Sequence, residues 1–154
     1  MQFTQLPLLA MTLALTALAS PLLAIDIAGR QTILSGTNAG SIYMFGDPAT
    51  ARALFWQYGS CGLSTFFADD VSPDIPLVAM PSTIMQSYGA SQHNTLCAKI
   101  VTMTVGGVTR QAAIADTNVS DTHSIDMTSD LWVAFGQQDG DGSIIPAVEW
   151  SIAA

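Results

Sequence analysis

The chain of 154 residues sets twelve acidic side chains against four basic ones, a formal net charge of −8. Four cations cannot neutralise a phosphate backbone or hold an anionic membrane surface, so nucleic acid and acidic lipid are excluded as natural partners. Charged residues make up only 10% of the chain while nearly half is hydrophobic, which leaves ample material for a core.

The first segment concerns the compartment. Residues 6–23 carry no charge and are dominated by Leu and Ala. The run is short for a membrane anchor and is followed by small residues, so it reads as a secretory signal. Its n-region lacks Lys and Arg, and a buried N-terminal helix is the alternative. Ala17-Leu18-Ala19 has the small-x-small pattern of a processing site, making Ser20 the first mature residue, with a cut after Ala24 as the other choice. The expected organisation is a signal peptide over 1–19 and one secreted, extracellular domain over 20–154. No later stretch could span a bilayer, so no membrane contact is expected after the signal is removed. In an oxidising compartment the only two cysteines, Cys61 and Cys97, read as one disulfide, worth ~4 kcal/mol in the chain-entropy model. Two buried free thiols are the reading if the chain stays in the cytosol.

Gln31 to Ser35 and Ser41 to Phe45 read as short strands separated by a turn over 36–40. Asp47-Pro48 opens a turn, and Ala49 to Tyr58 forms a short helix stopped by Gly59. Pro76 to Met80 is a compact apolar run. Pro81 suits the first turn of a brief helix with Ile84, Met85 and Tyr88 on one face and Gly89 at its end. Val101, Met103 and Val105 alternate with Thr102 and Thr104, and Gly106-Gly107 supplies the positive φ angles of a tight turn into Val108 to Ala115. Ser124 to Met127 is extended. Thr128 or Ser129 caps a helix whose first turn holds Asp130 and whose apolar face is Leu131, Trp132 and Phe135, with Gly136 as its stop. After a turn-rich stretch over 137–142, Ile144 to Ile152 makes the last strand. Many short strands with a few single helices predict an all-β barrel, not an α/β layer.

The order of these pieces carries a resemblance. Gly40-Ser41-Ile42-Tyr43-Met44-Phe45-Gly46 comes first, then Ser60-Cys61-Gly62, then Leu96-Cys97 leading into the hairpin. Ala113-Ile114-Ala115-Asp116, Ser124-Ile125-Asp126-Met127-Thr128 and Val148-Glu149-Trp150 follow. From about Gly40 to Trp150 the chain resembles the small secreted fungal proteins of the expansin-like, barwin-like and rare-lipoprotein-A-like group. That resemblance implies a six-stranded double-psi β-barrel and the same Cys61–Cys97 disulfide. Secreted fungal members often carry two further cysteines after the strand aspartate; here Asn118 and Asp121 stand in those places. Asn118-Val119-Ser120 is thereby an N-glycosylation sequon.

The resemblance also names candidate site residues. Asp126 falls in the box that holds the general acid of glycan-cleaving relatives, a carboxyl kept protonated by partial burial near a second carboxylate. As a plain helix-capping aspartate it would have no such role. Asp116 matches a position that binds the glycan and orients the acid, against a simple turn with Asn118. Asp47 lies where family-45 endoglucanases carry a catalytic base, although only the aspartate of that motif is kept. Tyr43 and Asn118 complete the expected ligand-binding set. Trp56 and Tyr58 are candidates for a stacking platform, whereas Trp132, Phe135 and Trp150 fall on periodic core faces.

His93 and His123 lack partners at metal-ligand spacing, so no metal and no cofactor is expected. The expected function is a non-hydrolytic module, a monomer, that binds or loosens cell-wall polysaccharide. A hydrolase or lytic-transglycosylase-like enzyme acting through Asp126 is one alternative. A secreted effector or inhibitor whose acidic surface meets a basic protein partner is the other.

Overall fold

The structure, a computed structural model, describes residues 32–138, 140 and 142–154. The proposed signal peptide lies outside the described residues. Six strands are the framework: β1 (Thr32–Ile42), β2 (Leu77–Pro81), β3 (Ile100–Val105), β4 (Val108–Asn118), β5 (Ile125–Met127) and β6 (Ile145–Ala153). They close into a barrel in the order β1-β5-β2-β4-β3-β6. The pairs β1–β5 and β2–β4 are parallel and the other four antiparallel. This is the double-psi β-barrel that the sequence resemblance implied. Four short helices sit between strands: α1 (Pro48–Tyr58), α2 (Leu63–Phe66), α3 (Ser82–Met85) and α4 (Ser129–Ala134). Among the described residues no helix is long and apolar enough to cross a membrane.

The β3–β4 hairpin forms as its alternation dictates. Val101 and Met103 are fully buried, and Gly106 and Gly107 take φ of 55° and 84° in the two-residue turn. β6 repeats the pattern, with Val148, Trp150 and Ile152 turned inward. β2 differs. Its five residues are all buried, because β4 and β5 flank it while helices pack over its outer face, so it reads as an unbroken apolar run. Cys61 and Cys97 are bonded, with Cα atoms 5.4 Å apart, tying the segment after α1 to the approach to β3.

Four expectations are corrected. The two N-terminal strands are one strand, β1, running through the supposed turn over 36–40. Gly36 and Gly40 are there for close packing and not for chain reversal. A Cβ on Gly36 would meet the Trp150 ring at 2.8 Å, and one on Gly40 would meet Met127 at 2.7 Å. Past Ile42 the strand ends, so Tyr43 to Phe45 form a loop. Pro81 closes β2 opposite Asn118 and precedes α3 instead of opening its first turn. β4 continues through Asp116 to Asn118, so no turn forms at that aspartate.

Candidate functional site

Four strands place one row of residues side by side. In register, Asp116 on β4 faces Ala79 on β2, Ala79 faces Asp126 on β5, and Asp126 faces Ser41 on β1. Directly paired residues project from the same side of a sheet, so the row presents two carboxyls and a hydroxyl together. Two strand spacings separate the Asp116 and Asp126 backbones by ~10 Å, with only the methyl of Ala79 between them. A bulge makes the row possible. Val78 pairs with Ile114 but Ala79 pairs with Asp116, so Ala115 is the extra residue and Asp116 is turned into line.

The bulge is held from outside by the chain after α1. Cys61 donates its N–H to the Ala115 carbonyl at 3.1 Å. Gly59 permits this approach, because a Cβ there would lie 2.4 Å from that same carbonyl oxygen. The following N–H, that of Ser60, donates to Asp116 Oδ1 at 2.8 Å, and the N–H of Thr117 donates to the same oxygen at 2.7 Å. Asp116 is thereby a fixed, half-buried acceptor.

Asp126 is held differently. Its Oδ1 accepts from the Ser41 hydroxyl, from Asn118 Nδ2 at 3.0 Å and from the Ser124 hydroxyl at 3.3 Å. Among the described residues no group engages Oδ2. Burial pushes the Asp126 carboxyl above its ordinary value of 3.8; the Ser41 and Ser124 hydroxyls pull the other way, and the negative charge of Asp116 pushes up again. A proton on this carboxyl belongs on Oδ2, where it can be donated to a ligand oxygen.

Asn118 organises the far side of the site. Buried, it donates through Nδ2 to the Ser124 carbonyl at 2.9 Å as well as to Asp126, and its Oδ1 accepts from the Ser120 N–H at 2.8 Å. The amide nitrogen that would carry a glycan points into the protein, and its hydrogens are committed to Ser124 and Asp126. The same geometry makes Asn118 a positioning residue for Asp126.

The remaining candidates are dispersed. Tyr43 donates its N–H to the Met127 carbonyl at 2.9 Å, which sets it just beyond β5. Its exposed ring leans on Phe55, centroids 4.3 Å apart. Asp47 is the N-cap of α1, accepting from the N–H groups of Ala49 and Thr50 at 3.3 and 3.1 Å and from the Thr50 hydroxyl at 2.9 Å. The Thr50 hydroxyl and the Ala49 N–H hold its carboxyl below the ordinary value, which makes it a weaker base. The carboxylate whose charge acts on Asp126 is Asp116. Tyr58, 73% exposed, lies two residues before the Ser60 N–H that holds Asp116, so it stands closest in sequence to that contact. Trp56 is half-buried under Arg52, whose guanidinium lies 5.3 Å from its ring centre. Trp132, Phe135 and Trp150 are core, as periodicity predicts. Ser41, Ser60, Ala79 and Ser124 were not singled out from sequence. Ser41 and Ser124 stood inside the quoted motifs, but nothing local to a serine reveals a partner more than eighty residues away.

No cluster of metal-ligating side chains occurs among the described residues. The chain matches no protein-family model and no curated protein. Solved structures do resemble it. A Streptomyces papain inhibitor aligns over 80% of this chain and 97% of its own, at 19% identity and a TM-score of 0.53. A point mutant of Clavibacter michiganensis expansin in complex with cellohexaose aligns over 79% of this chain at 15% identity and a TM-score of 0.54. The apo form of that expansin matches at 16% identity with the same TM-score. The chain spans about half the length of the expansin chains (51% in each). At these identities the likeness is one of fold.

Proposed function

We propose that this protein is a secreted, single-domain module that binds cell-wall polysaccharide without cleaving it, through the row Asp116–Asp126–Ser41. The observation that carries this reading is the asymmetric hold on Asp126. Three donors fix Oδ1 while Oδ2 stays open, on a carboxyl whose pKa is raised. In its protonated form such a group donates a hydrogen bond to a neutral sugar oxygen, and Asp116 beside it offers an acceptor. Tyr43 beyond β5 supplies an exposed ring for a pyranose face. The barrel it shares with an expansin that was solved with cellohexaose is consistent with that ligand class.

The second carboxylate supports binding over inverting hydrolysis. Inverting hydrolysis needs a base across the sugar from the acid, with room for water. Asp47, the sequence candidate, caps α1 and is a weakened base. Asp116 already accepts two backbone N–H groups. The test is co-sedimentation of the protein with insoluble cellulose, chitin and peptidoglycan, with soluble reducing ends assayed in the same tubes. Asp126→Ala should weaken binding about tenfold, the cost of one ligand hydrogen bond of about 1.4 kcal/mol, whereas Asp126→Asn, whose amide still donates from the Oδ2 position, should retain it, and no reducing ends should appear. Release of reducing ends that Asp126→Asn abolishes would make it an enzyme; absence of binding to all three polymers would retire the reading.

A second reading rests on the loop over 119–124. Val119 is the most exposed large apolar residue described, at 81%. The loop beneath it is tied down by Ser120–Thr122 and Thr122–Ser124 hydroxyl contacts at 2.8 and 3.0 Å. A rigid loop with an apolar tip suits insertion into a protein pocket at low entropic cost. The papain inhibitor shares the barrel. Inhibition of papain by the protein, lost in Val119→Asp and indifferent to Asp126→Ala, would favour this reading over the first.

A further inference from the structure

The other half of the barrel wall carries a groove of about 450 Å³ that has no part in the carboxyl row. Its side chains come from alternate positions of β1, β6 and β3. Register sets them in two rows, Ser35–Ser151–Thr102 and Thr37–Glu149–Thr104. Within a row the strands are ~4.8 Å apart, and the rows are ~7 Å apart along each strand. The result is a grid of five hydroxyls around one carboxylate, with no basic side chain in the lining. Thr104 shares its hydroxyl with Thr109 at 2.9 Å and Thr102 accepts weakly from Gln111 at 3.4 Å. The hydroxyls of Ser35, Thr37 and Ser151 and the carboxylate of Glu149 have no partner among the described residues.

We propose that this groove binds an amino-sugar oligosaccharide, with a sugar ammonium seated on Glu149 between Thr37 and Thr104. Charge selects the ligand's sign. The groove's only formal charge is negative, and it sits on a chain of net charge −8, so anionic ligands are repelled and a cation is favoured. The ratio of groups selects its class. An ammonium offers three donors, which one carboxylate and two flanking hydroxyls can accept. The remaining row of hydroxyls suits a ligand that is itself hydroxyl-rich and carries few amines. A lysine-bearing protein surface would supply the ammonium but leave that second row facing apolar or backbone groups, and the lining lacks the exposed aromatic anchors of a protein interface. Glucosamine units of deacetylated chitin meet both demands.

The experiment titrates the full chain, isotopically labelled, with a glucosamine hexamer, its fully N-acetylated counterpart, cellohexaose and trilysine, reading backbone amide shifts by NMR. The glucosamine hexamer should move amides at 35–37, 102–104 and 149–151. Its affinity should fall several-fold in Glu149→Gln and again several-fold between 50 and 300 mM salt, as for a single exposed ion pair. Glu149 is exposed, and the variant's unshifted spectrum elsewhere verifies its fold. Equal binding of the N-acetylated hexamer, no loss in Glu149→Gln, trilysine binding as tight as the hexamer, or shifts confined to residues 116–126 would each overturn the proposal.

Discussion

The two halves of the barrel wall are built by different rules. From β4 through β3 and β6 to β1 the pairing is antiparallel, the strands are long, and inward Val, Met, Trp and Ile alternate with outward Thr, Ser and Glu. From β1 through β5 and β2 to β4 two of the three pairings are parallel, β5 is three residues long, and β2 is apolar throughout. The first half satisfies its polar groups at the surface by simple alternation. The second carries half-buried polar side chains, some of which reach partners distant in sequence, such as Ser41 with Asp126. Irregularity here sits where polar chemistry is concentrated, and the regular half supplies a rigid frame for it.

The disulfide ties the segment that clamps the bulge to the approach to β3, and its loss is the largest expected effect. Replacing Cys61 and Cys97 with serine should cost about 4 kcal/mol in denaturant unfolding, by the loop-entropy argument. If the link serves the site half in particular, amide exchange should rise first at 59–61 and 113–116, where Cys61 and Ser60 clamp the bulge. Uniform acceleration would instead mean that the bond stabilises the barrel as one unit.

Matched substitutions sharpen the contrast. Met103→Ala removes a fully buried side chain from the regular half and should cost about 3 kcal/mol, while leaving polysaccharide binding unchanged below the melting transition. Asn118→Ala empties the hub of the other half and strands the Ser124 carbonyl, costing about 2 kcal/mol. Its distinctive result is on binding, which should weaken as strongly as in Asp126→Ala, because Asp126 loses its orientation. Equal binding losses from both variants, tracked by denaturant melts, would reduce the site to a matter of global stability.

How much of this was legible in the sequence follows the same division. The hairpin at Gly106-Gly107, the last strand through Val148 and Trp150, and the burial of Trp132 were readable because period-2 and period-3.6 patterns are local. The disulfide was readable from a cysteine count, and the order of short motifs pointed to Asp116 and Asp126, which the register sets in one row. The single strand β1 was not readable. Gly36 and Gly40 look like turn residues until Trp150 and Met127 are found where their side chains would be. The bulge at Ala115 and the Ser41–Asp126 contact escaped for a related reason. Both depend on pairings between segments far apart in the chain, and no local pattern encodes a register shift.

pH gives a smaller and signed test of the same contrast. The Asp126 carboxyl has a raised folded-state pKa, so between 3.8 and that raised value the folded chain holds a proton the unfolded chain has released. Stability must therefore fall as pH rises through this window, with a slope of at most about 1.4 kcal/mol per pH unit. Asp47 runs the other way. Its lowered pKa gives stability that is present above 3.8 and is lost as pH falls below it. Melting temperatures measured from pH 3 to 7 should show both limbs in the parent chain, and only the acid limb in Asp126→Asn. An unchanged upper limb in that variant would mean that another group carries the proton.

The smallest expected effect belongs to the outer face of the regular half. Thr104 and Thr109 pair their hydroxyls across the hairpin at 2.9 Å, both open to solvent. Thr109→Val keeps the β-branched shape that suits a strand and removes only an exposed hydroxyl contact, so unfolding free energy should change by less than about 0.5 kcal/mol. Such neutrality matters to the comparison. If the polar rows of this face add little to stability, their regular placement around Glu149 is not a folding requirement, and ligand binding becomes the natural measure of what they do. A loss of more than about 1 kcal/mol would instead make the cross-strand hydroxyl pairs part of the frame, and would return the groove's lining to structure.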